Sequence, residues 1–429
     1  MRKETRFYDV TPLVVPAGTQ AEITIRPLFE HARLDRFPDL RVAVVPLEGL
    51  PAQTRKLDLP DAPFRLVDGV LRVQAVFSTE QEYALLLYQG EQYHPFAEFH
   101  LYALNEDLFT RRPYKGDTHM HTTSSDGKEA PAFVAASCRR IGLDFAAITD
   151  HRQYAPSLEA IQAFAGLPID LRLFPGEEVH PPDNPVHMVN FGGSFSVNAR
   201  FAEEAYFAEV NALASRLEGL PDNLDRYTLA SCMWTFDQIR AGGGLAVFCH
   251  PHWIYRNRLD VPMALTDLLF QRQPFDALEL IGGYHPHEFE SNALQVARYQ
   301  EDRSRGRRIP IVGASDSHGV VNENLFGWFY TIVFSPSPEL PDLVGSIKDL
   351  YSVAVEAPPG HFPRAHGPLR LAQYAQFLLR EVFPLHDELC EPEGRAMLAY
   401  LAGEHGAAED LTRLQGQVER LYQKLWGAD

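Results

Sequence analysis

The sequence predicts an α/β protein in three parts. An N-terminal β-sandwich module is expected over residues 1–112, a β–α alternating domain over 113–367, and a helical C-terminal extension over 368–429. Three observations predict this. The first hundred or so residues are short β-branched runs broken by turn-formers. From about residue 114, short apolar runs alternate with helix-like stretches. From about residue 368 the apolar spacing is helical throughout.

In the first part the runs are "AEITIRPL", "LRVAVVPL", "VLRVQAVF" and "YALLLYQG", with "VPAGT" and "VDG" among the turns between them. Such spacing reads as antiparallel strands in two layers, and no site-like cluster lies among them. In the second part "FAAIT", "LRLFP", "HMVNF", "GLAVFCH", "DALELI" and "IPIVGAS" alternate with stretches such as "PAFVAASCRRIG" and "SNALQVARYQEDRSRG". This alternation implies a mostly parallel sheet or barrel, whose chemistry gathers at the C-terminal strand ends. In the third part "LRLAQYAQFLLREVF", "EGRAMLAYLAG" and "EDLTRLQGQVERLYQKLWG" read as helices packed on that domain.

Composition excludes some classes. A formal net charge of −18 disfavours nucleic acid or an anionic membrane as partner, because both need a basic face. No run approaches a membrane span, and "MRKETRFYDV" has no apolar signal region. The four widely spaced cysteines, Cys138, Cys232, Cys249 and Cys390, form no C-x-x-C pair and read as free thiols of a reducing, cytoplasmic compartment.

Ten of the 17 histidines lie between His119 and His318, in the alternating part, and they recur with carboxylates at strand ends. In "GDTHMHTTSSDG", His119 and His121 are alternate residues of an extended segment, so both imidazoles can converge on one point. Taken alone, this pair reads more readily as two hydrogen-bonded histidines, and Asp126 before Gly127 as a turn. "AITDH" ends a strand with Asp150 and His151, where an N-cap aspartate is the simpler account. "FPGEEVH" supplies Glu177 and Glu178, "HMVNF" His187, "VFCHPHW" His250 and His252, and "IVGASDSHG" Asp316 and His318. Six strand ends all offering imidazole or carboxylate exceed what capping explains. Brought into one volume, unpaired carboxylates would repel, and divalent cations remove that repulsion. Some nine candidates exceed the four ligands of a tetrahedral zinc site and suit two or three ions. Mixed imidazole and carboxylate donors favour Zn, Mn or Fe without choosing among them.

These stretches resemble the PHP (polymerase and histidinol phosphatase) superfamily. "GDTHMHTTSSDG", "AITDH", "PGEEVH" with His187 behind it, "FCHPHW" and "GASDSHG" follow that family's order over about residues 114–357. The N-terminal β module and "RRPYKGDTHMHT" look like its carbaryl-hydrolase-related branch. The resemblance implies a distorted (β/α)7 TIM-like barrel with a three-metal site. His119, His121, Glu178 and Asp316 would hold the first ion. Glu178 would bridge to a second held by His187 and His250, and Asp126, His151 and His318 would hold a third. Glu178 rather than Glu177 matches the family's spacing from Gly176, and alternation allows only one of the two to face the ions.

The expected activity is metal-dependent hydrolysis by a hydroxide shared between ions, acting most readily on a phosphoester of a small molecule. The alternatives are a carboxyl ester or carbamate hydrolase with the same ions, and a non-enzymatic metal-binding interaction protein. A polymerase-attached nuclease fails on length and charge. A phosphate needs a cation besides the metals, and Arg152, Arg256 and Arg364 are candidates. An apolar substrate needs a pocket that Trp253 and Tyr255 can line. His252, His285 and His287 are candidates to touch substrate or donate a proton, although each reads equally as a surface histidine. Asp150, pointing away from the ions, is expected to orient a ligand imidazole.

Overall fold

The computed structural model describes residues 6–48, 59, 61–90, 92, 94–221, 224–285, 288–321 and 325–427. The chain divides into two compact units. The first comprises Met1–Arg112, Gln373–His386 and Gly416–Asp429, and the second Pro113–Ala372 and Asp387–Gln415. Residues 368–429, expected as one extension, are therefore shared between the units. The physical reason is visible in their contacts. Arg380 Nη2 lies 2.6 and 2.7 Å from the Glu82 carboxylate oxygens in the first unit. Glu393 Oε2 lies 2.6 Å from Arg139 Nε in the second, where that guanidinium is buried.

The first unit holds two four-stranded sheets. Strands β1 (Tyr8–Thr11), β2 (Val14–Pro16), β3 (Thr19–Pro27), β4 (Leu40–Pro46), β5 (Phe64–Val67), β6 (Val70–Phe77), β7 (Gln81–Gln89) and β8 (Ala97–Leu104) arrange as β1-β3-β6-β5 and β2-β8-β7-β4. All pairings are antiparallel except β2 with β8. Alternation decides the buried face: Ile23 and Ile25 on β3, and Leu71, Val73, Ala75 and Phe77 on β6, point inward. Asp68 and Gly69 both have positive φ, the conformation that a two-residue turn between β5 and β6 requires.

In the second unit, β9 (Arg112–Asp117), β10 (Phe145–Ala147), β11 (Arg172–Phe174), β12 (Gly176–Val179), β13 (Met188–Phe191), β14 (Leu245–Phe248), a small hairpin of β15 (Ile254–Tyr255) and β16 (Arg258–Leu259), β17 (Ala277–Gly282), β18 (Ile311–Ala314), β19 (Phe329–Ser335), β20 (Ser352–Glu356) and β21 (Arg364–His366) form a mixed α/β arrangement. One sheet has the order β11-β10-β9-β19-β20-β21 and another β12-β13-β14-β17-β18. β9, β10 and β11 are parallel, as are β14, β17 and β18. The expectation of a mostly parallel sheet does not extend to β12, β13 and β14, which pair antiparallel. The segment 180–187 between β12 and β13 is too short for a helical crossover, so the chain turns back as a hairpin.

Beyond the strands proper, isolated parallel bridges join Met120 to Ser317 and His151 to Glu178. Thr149 N–H donates to Met120 O, and Glu178 N–H to Thr149 O. These links draw the C-terminal ends of β9, β10, β12 and β18 together. At β17, Gly282 has φ 155°, and a Cβ there would meet Ala314 O at 1.8 Å, so only glycine lets β17 and β18 approach at this end. The four cysteines form no disulfide and are buried. Among the described residues no helix is long and apolar enough to cross a membrane.

Candidate metal centre

All nine candidate ligands come together at these strand ends. His119 and His121 leave β9 on one side of the chain, as alternation demands, and their rings lie 5.2 Å apart. Their Nε2 atoms are 3.4 and 2.8 Å from Asp316 Oδ1, and 3.6 and 3.7 Å from Glu178 Oε2. Glu178 Oε1 is 3.0 Å from His187 Nδ1 and 3.3 Å from His250 Nε2. His151 Nδ1 contacts Glu178 Oε2, while its Nε2 lies 3.5 Å from Asp126 Oδ1. His318 Nε2 reaches the same Asp126 oxygen at 3.4 Å, and its Nδ1 donates to Asp316 O. One ligand atom from each of His121, Asp126, His151 and His318 falls within 4.8 Å of the others.

The donor set fits divalent ions. Glu178 is fully buried, and imidazoles rather than arginine or lysine surround it. Such a carboxylate is tolerated only with positive charge beside it. His119 Nε2 and His121 Nδ1 are buried without a hydrogen-bond partner, whereas buried polar atoms are otherwise nearly always paired. Burial opposes ionisation of Glu178, but His187 and His119 outweigh it and hold its carboxyl well below the usual range. Burial likewise opposes charge on His119, yet Asp316, Glu279 and Glu178 push it well above an ordinary imidazole. The cavity thus favours positive charge at its centre.

The backbone is strained at two of the candidate ligands. His250 has φ 28° and Asp316 φ 50°, left-handed values that cost free energy in residues with a side chain and cluster at functional sites.

The two glutamates of "GEEV" separate as alternation requires. Glu177 points away from the cluster and accepts from Ser196 Oγ at 2.8 Å, Asn198 Nδ2 at 2.9 Å and the Val197 N–H. Asp150 does not meet an imidazole, contrary to expectation. It accepts from Thr122 N at 2.7 Å, Thr122 Oγ1 at 2.6 Å and Ser125 Oγ at 2.5 Å, and so braces the turn between His121 and Asp126.

Imidazole orientation falls instead to Glu279 on β17, whose Oε2 is 2.8 Å from His119 Nδ1. Sequence reasoning missed it, although a lone carboxylate inside "DALELI" was the available signal. His180 was missed as well. Its Nε2 lies 3.0 Å from His151 Nδ1 and 3.2 Å from Glu178 Oε2, and its ring stacks on His187 at 3.8 Å. Burial lowers its pKa to about 4.

The substrate candidates are placed unevenly. Trp253 and His285 line the pocket of about 310 Å³ over the cluster, together with Tyr284 and Glu288. Trp253 sits 6.0 Å from the His250 ring, with the Tyr255 ring tilted against it at 5.3 Å and 46% exposed. His252 does not line this pocket. The turn after His250 buries it, and burial, with Arg298 nearby, lowers its pKa to about 4. Arg152 is exposed, and its N–H donates to Glu178 O. Arg256 lies over the Tyr255 ring, and Arg364 is paired with Glu356 at 2.8 Å in a different cavity. Among the described residues, no arginine or lysine lines the pocket over the cluster. His287 lies outside the described residues.

No family model and no curated protein matches the chain. Solved structures do. The chain is similar to a two-domain protein of Bacteroides vulgatus ATCC 8482 described as containing a PHP-like metal-dependent phosphoesterase, at 17% identity and a TM-score of 0.40, covering 57% of this chain and 65% of that one. A metal-dependent phosphoesterase of Bifidobacterium adolescentis ATCC 15703 gives 22% identity and a TM-score of 0.33, over 49% of this chain and 89% of that one. An amidohydrolase of Chromobacterium violaceum, with bound sulfate and no metal, gives 17% and 0.31, over 49% and 89%. PHP-like proteins are thus among the structures this chain is similar to.

Proposed function

We propose that the second unit is a metal-dependent hydrolase of small-molecule esters. The observation that carries this is Glu178, a fully buried carboxylate whose two oxygens meet the imidazoles of His151, His180, His187 and His250 within 3.3 Å. In this reading His119, His121, Glu178 and Asp316 hold one divalent ion, Glu178, His187 and His250 a second, and Asp126, His151 and His318 a third. Zn, Mn and Fe suit the donors. Bound ions of this kind acidify water and neutralise charge that develops on a substrate oxygen. The strands β12-β13-β14-β17-β18-β9-β10, linked through the two isolated bridges, would form a distorted seven-stranded barrel with the ions at its mouth.

The chain's own residues supply the rest. Glu279 fixes the His119 ring, so that Nε2 faces the cluster. Asp150 holds the turn that presents Asp126. Trp253 and Tyr284 wall the pocket and keep bulk water from one side. A phosphoester is the first substrate class. A second reading, a carboxyl ester or carbamate, is favoured by the absence of any arginine or lysine around the pocket among the described residues, because a phosphate dianion would have only the ions to receive it.

The test is the purified protein, loaded with Mn or Zn, against matched aryl phosphates and aryl carboxylates. Metal-dependent turnover of either supports the hydrolase, and turnover of carboxylates alone selects the second reading. No turnover of any member, with stoichiometric metal bound, would defeat the proposal.

A further inference from the structure

The second unit has a cavity larger than the one over the metal cluster. It adjoins it. Tyr284 and His285 line both, so the two cavities share that wall. The second cavity holds about 560 Å³, within the range of small-molecule sites. Its character differs from that of its neighbour. Ile281, Val296, Trp328 and Phe329 make it apolar, and Ala293 and Ala297, one turn apart on the helix Phe289–Ser304, leave it open on one side.

Its polar end offers no spare charge. Arg364 Nη2 lies 2.8 Å from Glu356 Oε1, and His366 Nε2 lies 3.4 Å from Glu356 Oε2. The hydrogen bond from His366 and the charge of Arg364 hold the Glu356 carboxyl below its ordinary value, though burial opposes this. The three groups compensate one another, and Arg364 is engaged here rather than over the cluster.

We propose that the substrate is an ester whose apolar alkyl chain occupies this cavity while the ester group lies past Tyr284 and His285 against the metal ligands. The inference rests on the hydrolase reading and adds the substrate class to it. Apolar surface leaving water at an aromatic wall supplies the binding, and the paired charges at the far end add none. Each methylene that enters the cavity would raise kcat/KM about fourfold, the equivalent of one buried CH₂.

The experiment uses 4-nitrophenyl acetate, butyrate and hexanoate, and the matching 4-nitrophenyl alkyl phosphates, with the metal-loaded protein and with Ala297→Trp. Ala297 is exposed at the cavity mouth, so the larger ring is expected to fill the opening without disturbing the fold. The expected result is a rise in kcat/KM along a series, and the loss of that rise in Ala297→Trp. Calorimetric titration with hexylphosphonate and methylphosphonate reads the same cavity without turnover. At least tenfold tighter binding of the hexyl compound, abolished by Ala297→Trp, is expected. Hydrolysis with no dependence on chain length, or equal phosphonate affinities, would overturn the cavity assignment and leave the hydrolase reading standing. Absence of both turnover and phosphonate binding would overturn the two together.

Discussion

Glu279 Oε2 lies 2.8 Å from His119 Nδ1, and neither side chain is exposed to solvent. The pair fixes the ring so that Nε2, buried and otherwise without a partner, faces Asp316 and Glu178. Carboxylates that orient ligand imidazoles in this way contribute strongly to metal affinity. Glu279→Gln is expected to weaken binding of the tightest ion about 10- to 100-fold. Competition with a chelating dye measures this, and unchanged affinity would show that the pair only fills the core.

Asp316 sits at φ 50°, a conformation that asparagine tolerates better than alanine. Asp316→Asn is therefore the cleaner removal of charge. Metal content measured by elemental analysis should fall and hydrolysis should be lost, while far-UV circular dichroism stays native. His121→Ala should do the same. Near wild-type activity in either variant would place the chemistry elsewhere.

Glu177 and Glu178 are neighbours with opposite duties. Glu178→Gln should empty the site of at least one ion with little loss of cold-state structure. Glu177→Ala leaves Ser196, Asn198 and the Val197 N–H without their acceptor, and should cost about 2 kcal/mol of stability or more with metal content unchanged. Paired urea titrations and metal assays separate the two outcomes.

Arg139 is 1% exposed, with Glu393 at 2.6 Å and Asp144 at 3.0 Å. Glu393→Ala leaves this guanidinium short of compensation and should destabilise the second unit by about 3–5 kcal/mol. The double replacement Arg139→Met with Glu393→Leu should recover much of that loss. An equal loss in the double variant would show that packing, not charge, sets the cost.

Burial opposes ionisation of Glu82, but the hydrogen bonds from His100 and Arg380 outweigh it and hold the carboxyl below its ordinary value. The folded first unit therefore binds this proton more weakly than the unfolded chain does. The stabilisation is present above the unfolded value and is lost as pH falls through the folded one. The stability gap between wild type and Glu82→Gln should be constant near neutrality and shrink on acidification below about pH 4.5. A gap that widens with acid would contradict this.

The nine ligand candidates were legible because imidazoles and carboxylates recur at strand ends, a pattern that survives ignorance of the three-dimensional arrangement. Glu279 was not, since a single glutamate in an apolar run looks like an edge residue until a ring is found opposite it. His180 was hidden by its neighbours in "EEVH", and only its contacts with His151, Glu178 and His187 separate it from an ordinary loop residue. Arg364 carried the right charge for a phosphate, but a sequence does not display Glu356 eight residues earlier as its partner. The short β12–β13 connection was readable as a hairpin from its length. The division of the C-terminal helices was not, because amphipathic spacing says that a face is buried and not against what.

That division bears on the order in which the protein is made. Leu13 N–H donates to Leu425 O at 2.9 Å, and Lys424 Nζ lies 2.7 Å from Asp9 Oδ1. Strands translated before residues 113–415 wait for a helix, Gln417–Leu425, that leaves the ribosome only after those residues have done so. The strands of the first unit thus precede the second unit in synthesis and are completed after it, and they must stay soluble meanwhile. A premature stop before residue 416 would injure strands translated well before it while sparing every candidate metal ligand.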